Sequence, residues 1–216
     1  MSLMDDLFAA QPEGWSLLQL CGLGVPGLEL CARALAAGAA RATHAEPWPL
    51  PPEAWAVLGE HPGLHHGSVD ITDARALAWE WPRHDVVVAT QLFSLRDPYP
   101  ALELLSRFAR RHLVVMTNLL PLDEGIAPGD MVPGFLPDPR LPDVARALAR
   151  RGVELPQFHQ PAARHDAGGQ LSWPGMWEWF QTEAALAAML EDLGWRVTAR
   201  EAVWMDLGVV LVAERA

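Results

Sequence analysis

Lysine is missing from this chain: all sixteen basic residues are arginine. A Schiff-base lysine, a P-loop lysine and a lysine general base are therefore excluded, and pyridoxal enzymes and P-loop NTPases with them. Cysteine is scarce as well. Cys21 and Cys31 are the only two in 216 residues, too few for a disulfide framework, so a reducing cytoplasm is the expected compartment. Positive charge is short, with a formal net charge of −11, which argues against nucleic acid as a partner because binding it rests on neutralising phosphates. Arg107, Arg110 and Arg111 do cluster, and they read as a solvated face complementing a helix dipole. No apolar run approaches the roughly 20 residues of a membrane helix. The first residues have neither the basic start nor the apolar core of a signal peptide.

What is present is ordinary globular material, half hydrophobic and a fifth charged, in a length that suits one domain with a single core. The most informative stretch is Trp15–Pro47. An apolar run meets a glycine-rich turn, an alanine-rich helix follows, and a second strand ends at Glu46. That order is a β-loop-α-β unit. Glycines let the backbone approach a ligand at a strand's carboxyl end, beside a helix N-terminus. An acidic side chain ending the next strand stands where a ribose diol needs an acceptor.

Further along, Met4–Gln11 reads as a leading helix, Trp15–Leu20 as the first strand and Gly27–Ala37 as a helix stopped by Gly38. Ala40–Glu46 is the second strand, Glu53–Gly59 a brief helix, Leu64–Val69 a weak third strand and Asp73–Glu80 a helical turn. The spacing predicts a buried strand over His84–Thr90, a helix over Pro98–Arg111 and another buried strand over His112–Thr117. Asn118–Ser172 holds eight prolines and one convincing helix, Pro142–Arg151, so it reads as a proline-rich insertion over the substrate side of a single domain spanning 1–216. Order resumes with a helix over Thr182–Leu193 and an antiparallel hairpin, Trp195–Trp204 with Leu207–Ala213. The expected fold is α/β: a doubly wound, mostly parallel seven-stranded sheet closed by that hairpin.

Three stretches carry a family resemblance: LLQLCGLGVPG (Leu17–Gly27), QLFSLRDPYPAL (Gln91–Leu102) and SWPGMWEWFQTEAALAAMLEDLGW (Ser172–Trp195). In this order and spacing the chain resembles a class I S-adenosylmethionine-dependent methyltransferase, nearest to the small-molecule and wobble-uridine-type branches, over roughly Trp15–Glu214. The resemblance implies methyl transfer from S-adenosylmethionine to a small acceptor. It also implies a cofactor site in which Cys21, Gly22, Leu23 and Gly24 wrap the methionine part and Glu46 takes the ribose hydroxyls. Asp70 would accept from the adenine amino group, Ile71 would face the ring, and Gln91 would border the sulfonium. The chain departs from the family pattern at three places. Gln19 stands where an acidic residue is usual, Cys21 where a glycine is common, and Phe93-Ser94 where a Tyr-His pair is found.

Those departures keep a second reading open, a methyltransferase-like binding or accessory protein without turnover. A third is an NAD-dependent oxidoreductase, because Gly22, Gly24 and Gly27 spell GxGxxG and Glu46 follows about twenty residues on. Against it, Pro26 stiffens the loop and removes a backbone donor, and no second mononucleotide half follows. No metal-ligand set is read: His65 and His66 are adjacent and would point to opposite faces of a strand, and they are expected to be solvated. His159 and His165 are the general-base candidates by location and by the pKa range of histidine, with Asp123 and Glu124 beside them in the insertion. Trp173, Trp177, Trp179 and Phe180 read either as packing between insertion and sheet or as an apolar roof over an acceptor.

Overall fold

The β-branched runs Val86–Val88 and Val114–Val115 have no exposed surface, and they form the centre of the molecule because strands covered on both faces need no polar alternation. The computed structural model describes residues 2–20, 25–46, 50, 52–68, 82–90, 92, 98–120, 122–123, 125–133, 139–152, 179–203 and 207–216. In chain order the elements are α1 (Leu3–Ala9), β1 (Ser16–Leu20), α2 (Val25–Ala36), β2 (Arg41–Glu46), α3 (Pro52–Glu60), β3 (Leu64–Ser68) and β4 (His84–Thr90). There follow α4 (Pro98–Phe108), β5 (Ala109–Asn118), β6 (Met131–Pro133), α5 (Leu141–Ala149), β7 (Trp179–Gln181), α6 (Glu183–Asp192), β8 (Trp195–Val203) and β9 (Gly208–Arg215).

Seven strands form one sheet in the order β3-β2-β1-β4-β5-β9-β8. The first five run parallel, and β9 lies antiparallel between β5 and β8. This is the expected doubly wound architecture with its closing hairpin. Alternate residues along each strand divide the core. Leu17, Val86, Val88 and Val114 face Leu28, Cys31 and Ala34 of α2 and Phe8 of α1. Leu18, Leu20, Val87 and Val115 face Leu102 and Leu105 of α4 and Leu186 and Leu190 of α6. Each leucine, valine or phenylalanine among them contributes about 1.5–3 kcal/mol on leaving water. Gly38 (φ 95°) and Gly194 (φ 78°) end α2 and α6 in the left-handed conformation that a side chain would strain. Thr182 caps α6 by accepting from the Ala185 amide at 3.3 Å.

Two boundaries differ from expectation. The apolar stripe of α4 suggests a helix reaching Arg111, but the helix stops at Phe108 and Ala109 already pairs with His84. Between the pairs His84–Ala109 and Val86–His112, two residues of β5 (110 and 111) then oppose one of β4 (85). That bulge puts Arg110 and Arg111 outside while keeping Ala109 and Leu113 buried. The second difference lies in 118–172, where only a helix is expected. There β6 pairs antiparallel with β7 through Val132 and Phe180, and a separate small core forms from Leu120, Ile126, Val132, Val144, Leu148 and Phe180. Strands of three residues are too short to show a period. Phe180 thus belongs to packing, and Trp179 lies against the main core. Trp173, Trp177 and the helical turn 73–80 lie outside the described residues.

Candidate functional site

The chain reverses direction across the sheet between β1 and β4, with β2 and β3 on one side and β5 on the other. In open α/β sheets ligands bind outside the carboxyl ends of the strands at this switch point. Here those ends are Leu20, Glu46, Ser68 and Thr90.

The β1–β4 junction is tied by side chains. The Thr90 hydroxyl donates to the Leu20 carbonyl at 2.9 Å. Gln19 Nε2 donates to the same carbonyl at 3.2 Å and to Thr90 Oγ1 at 3.3 Å. Gln19 is fully buried, and among the described residues its Oε1 meets no donor. A buried acceptor with no donor is costly, and Gln19 carries that cost at the end of β1.

Glu46 ends β2 with 4% of its surface exposed. Two residues back on the same strand face, His44 brings Nε2 to 3.3 Å from Glu46 Oε1. His44 sits opposite His66 in the β2–β3 register. Their Nδ1 atoms are 3.3 Å apart and their rings stack, with centroids 5.5 Å apart. Burial first, and then His44, hold the His66 imidazole below its ordinary pKa against the pull of Glu46. The expectation that His65 and His66 are both solvated is therefore corrected for His66: both are in β3, and only His65 is exposed. Two histidines at one register position cannot be seen without the strand pairing.

Of the residues singled out in the sequence, the structure describes Glu46 and places it at the switch-point end of the sheet. Cys21, Gly22, Leu23, Gly24, Asp70, Ile71, Gln91, His159 and His165 lie outside the described residues, as does Glu124. Asp123 is ion-paired with Arg150 beyond the end of α5, which makes it an anchor for that helix and ill-suited as a free base. Cys31 is buried in α2, and burial pushes its thiol far above the ordinary range, so it is inert. Sequence reasoning missed His44. A lone histidine inside RATHAE carries no signal until β3 is laid beside it. Among the described residues no group of three or more His, Cys, Asp or Glu is arranged to hold a metal ion, and no helix is long and apolar enough to cross a membrane.

This is the fold of the class I S-adenosylmethionine-dependent methyltransferases. The chain is similar to magnesium protoporphyrin IX methyltransferase from Synechocystis PCC 6803, solved with S-adenosylhomocysteine bound: TM-score 0.59, 15% identity, covering 99% of this chain and 82% of that one. It is similar to 1,6-didemethyltoxoflavin-N1-methyltransferase from Burkholderia thailandensis, solved with 1,6-didemethyltoxoflavin and S-adenosylhomocysteine: TM-score 0.61, 12% identity, covering 98% and 76%. An S-adenosylmethionine-dependent methyltransferase from Mesorhizobium loti matches with TM-score 0.60 and 14% identity over 98% of this chain and 95% of that one. The chain spans about half the length of some other methyltransferases of this fold, 53% of the mitomycin 7-O-methyltransferase MmcR for example. No protein-family model and no curated protein sequence matches it.

Proposed function

We propose that the chain is an S-adenosylmethionine-dependent methyltransferase acting on a small-molecule acceptor. The observation that carries this reading is Glu46, a buried carboxylate at the carboxyl end of β2, beside the switch point of a methyltransferase fold. A carboxylate there accepts from both hydroxyls of a ribose and has no use for a phosphate. In this reading Cys21, Gly22, Leu23 and Gly24 surround the methionine part, Asp70 accepts from the adenine amine, Ile71 covers the ring and Gln91 borders the sulfonium. When bound, the cofactor supplies an electrophilic methyl group. The chain's own work is to orient the acceptor and exclude water, with His159 or His165 of the 118–172 insertion, a lid over the acceptor, taking a proton where one is released. Solved neighbours that act on a porphyrin and a toxoflavin precursor support a flat organic acceptor. The excess of acidic residues argues against nucleic acid, and the two cysteines suit a reducing cytoplasm.

The test is calorimetric titration with S-adenosylhomocysteine, with NAD in parallel. Micromolar binding of the first alone, weakened at least tenfold (about 1.4 kcal/mol) in Glu46→Gln, is the expected result. Binding of NAD alone would return the oxidoreductase reading. Gln19, neutral where an acid is usual, favours one second reading, a methyltransferase-like binding protein without turnover. S-adenosylhomocysteine binding, with no methyl transfer from S-adenosylmethionine to any of a panel of flat aromatic acceptors, would support it.

A further inference from the structure

Arg107, Arg110 and Arg111 are close in sequence but differ in setting. Arg107 stays in α4 and pairs with Glu103, whereas Arg110 and Arg111 form the β5 bulge opposite Asp85. Successive residues of a regular strand point to opposite faces, which would turn one of these two arginines toward the core. The bulge leaves both exposed. They lie at the amino edge of the sheet, the opposite end from Glu46.

More positive charge collects along that edge. Arg41, the exposed first residue of β2, stands opposite Ser16 of β1, and Ser16 hydrogen-bonds to Asp85 of β4. Arg83, exposed just before β4, donates to the Ala109 carbonyl at 3.2 Å. Four guanidinium groups thus share one edge of a chain whose net charge is −11. Asp85 does not balance them. It accepts from the Ser16 amide and hydroxyl, each at 2.9 Å, and stands 3.8 Å from Arg111. Arg41 and Arg110 have no ion pair among the described residues. Next to Asp85 is His84, buried, with neither ring nitrogen hydrogen-bonded. Burial, and then the charges of Arg41 and Arg110, hold its pKa below the ordinary value, and Asp85 pulls the other way. Arg41 and Arg110, from strands two apart, therefore act on one buried ring and belong to one patch.

We propose that this amino edge binds a phosphate-type oxyanion, free or as the end group of a phosphate ester, between Arg41 and the Arg110–Arg111 bulge. Guanidinium forks match the oxygens of such an ion, and its charge relieves the repulsion among the arginines. Filling the site also acts on His84. Neutralising the two guanidinium charges lets the ring take up a proton more readily, and reciprocally the anion binds more tightly as the pH falls. The site is independent of the cofactor reading, because its residues stand at the other end of the sheet.

The test titrates inorganic phosphate and phenyl phosphate into the full-length chain at pH 7.5, by calorimetry at constant ionic strength in sodium chloride. Millimolar or tighter binding is expected, weakened about tenfold in Arg41→Gln and in Arg110→Gln. Both arginines are exposed, so the variants keep the core. Preference for phenyl phosphate would assign the site to an ester, and equal binding to the free ion. Nitrogen-15 shifts of His84 give a second readout. In sulfate, which stays a dianion in acid, the protonation midpoint of the ring should lie higher than in chloride, and the two variants should lose that response. Binding that the substitutions leave unchanged would overturn the proposal, as would binding that does not move the His84 midpoint. S-adenosylhomocysteine affinity, measured without phosphate, should be the same in all three proteins. A chain that bound phosphate in this way but no S-adenosylhomocysteine would lose the cofactor reading and keep this site.

Discussion

Thr90 and Gln19 share one acceptor: both donate to the Leu20 carbonyl, and Thr90 Oγ1 also accepts from Gln19 Nε2 at 3.3 Å. The three residues close a small hydrogen-bonded triangle between the ends of β1 and β4, the two strands that flank the switch point. The consequence is that the crevice edge is set by side chains as well as by the strand ladder. Thr90→Val keeps the shape and removes the hydroxyl, leaving Gln19 with one acceptor fewer. It should destabilise the fold by about 1–2 kcal/mol, read as a lower urea midpoint at unchanged slope. It should also weaken S-adenosylhomocysteine binding, because the end of β4 is no longer tied down.

His84 makes stability depend on pH. Its side chain is buried at the start of β4, and neither ring nitrogen has a hydrogen-bond partner among the described residues. Burial, and then the charges of Arg41 and Arg110, lower its pKa from 6.5 to about 4, with Asp85 pulling the other way. The folded state thus holds the neutral ring. Above pH 6.5 neither folded nor unfolded chain is protonated there, and the contribution to stability is complete. Between 6.5 and 4 the unfolded chain takes up a proton that the folded one does not, so stability falls, by about 3 kcal/mol in all. Urea titrations at pH 7.5 and pH 4.5 should show this loss, and His84→Phe should remove most of its pH dependence.

The main sheet was largely legible in the sequence because its signals are local. HDVVVAT and HLVVMT are apolar runs that only a doubly covered strand explains, and Gly38 and Gly194 mark helix ends through a conformation other residues resist. What was not legible depends on pairing between distant segments. His44 carries meaning only when His66 lies opposite it, twenty-two residues on in sequence. The end of α4 is set by Ala109 meeting His84, against a helical stripe that continues past it. The place of Glu46 at the end of β2 was legible for the opposite reason, since an acid closing the second strand of a β-α-β unit is a local pattern.

Arg215 shows how that early end of α4 is held. Its guanidinium lies 4.8 Å from the Trp195 ring centroid and donates to the carbonyls of Ser106, at 3.0 Å, and Ala109, at 3.3 Å. The last carbonyls of a helix lack partners within it, and here the final strand supplies one cation for the Ser106 carbonyl of α4 and for the first carbonyl of β5. Arg215→Met keeps much of the packing on Trp195 and deletes the donors. A loss of about 1–2 kcal/mol is expected, together with faster amide exchange in β5 around the bulge. An unchanged exchange pattern would mean that pairing with His84 alone fixes the boundary.

Gln181 is the joint between the two cores. Fully buried, it donates through Nε2 to Thr117 Oγ1 at 3.0 Å and to the Asn118 carbonyl at 2.6 Å, where β5 leaves the main sheet. Its own carbonyl accepts from the Leu120 amide at 2.8 Å, and its amide side belongs to the β6–β7 pair. The small core of Val132, Val144, Leu148 and Phe180 is therefore attached to the sheet at its carboxyl edge, the side on which an acceptor would enter. Gln181→Leu retains bulk but leaves the Thr117 hydroxyl and the Asn118 carbonyl without their donor, at about 1–3 kcal/mol. Because the loss falls at the attachment, local opening should respond more than global unfolding. Hydrogen exchange at Val132 and Phe180 should accelerate while amides in β1 and β4 hold their protection. Equal acceleration in both would mean that the small core and the sheet unfold as one unit.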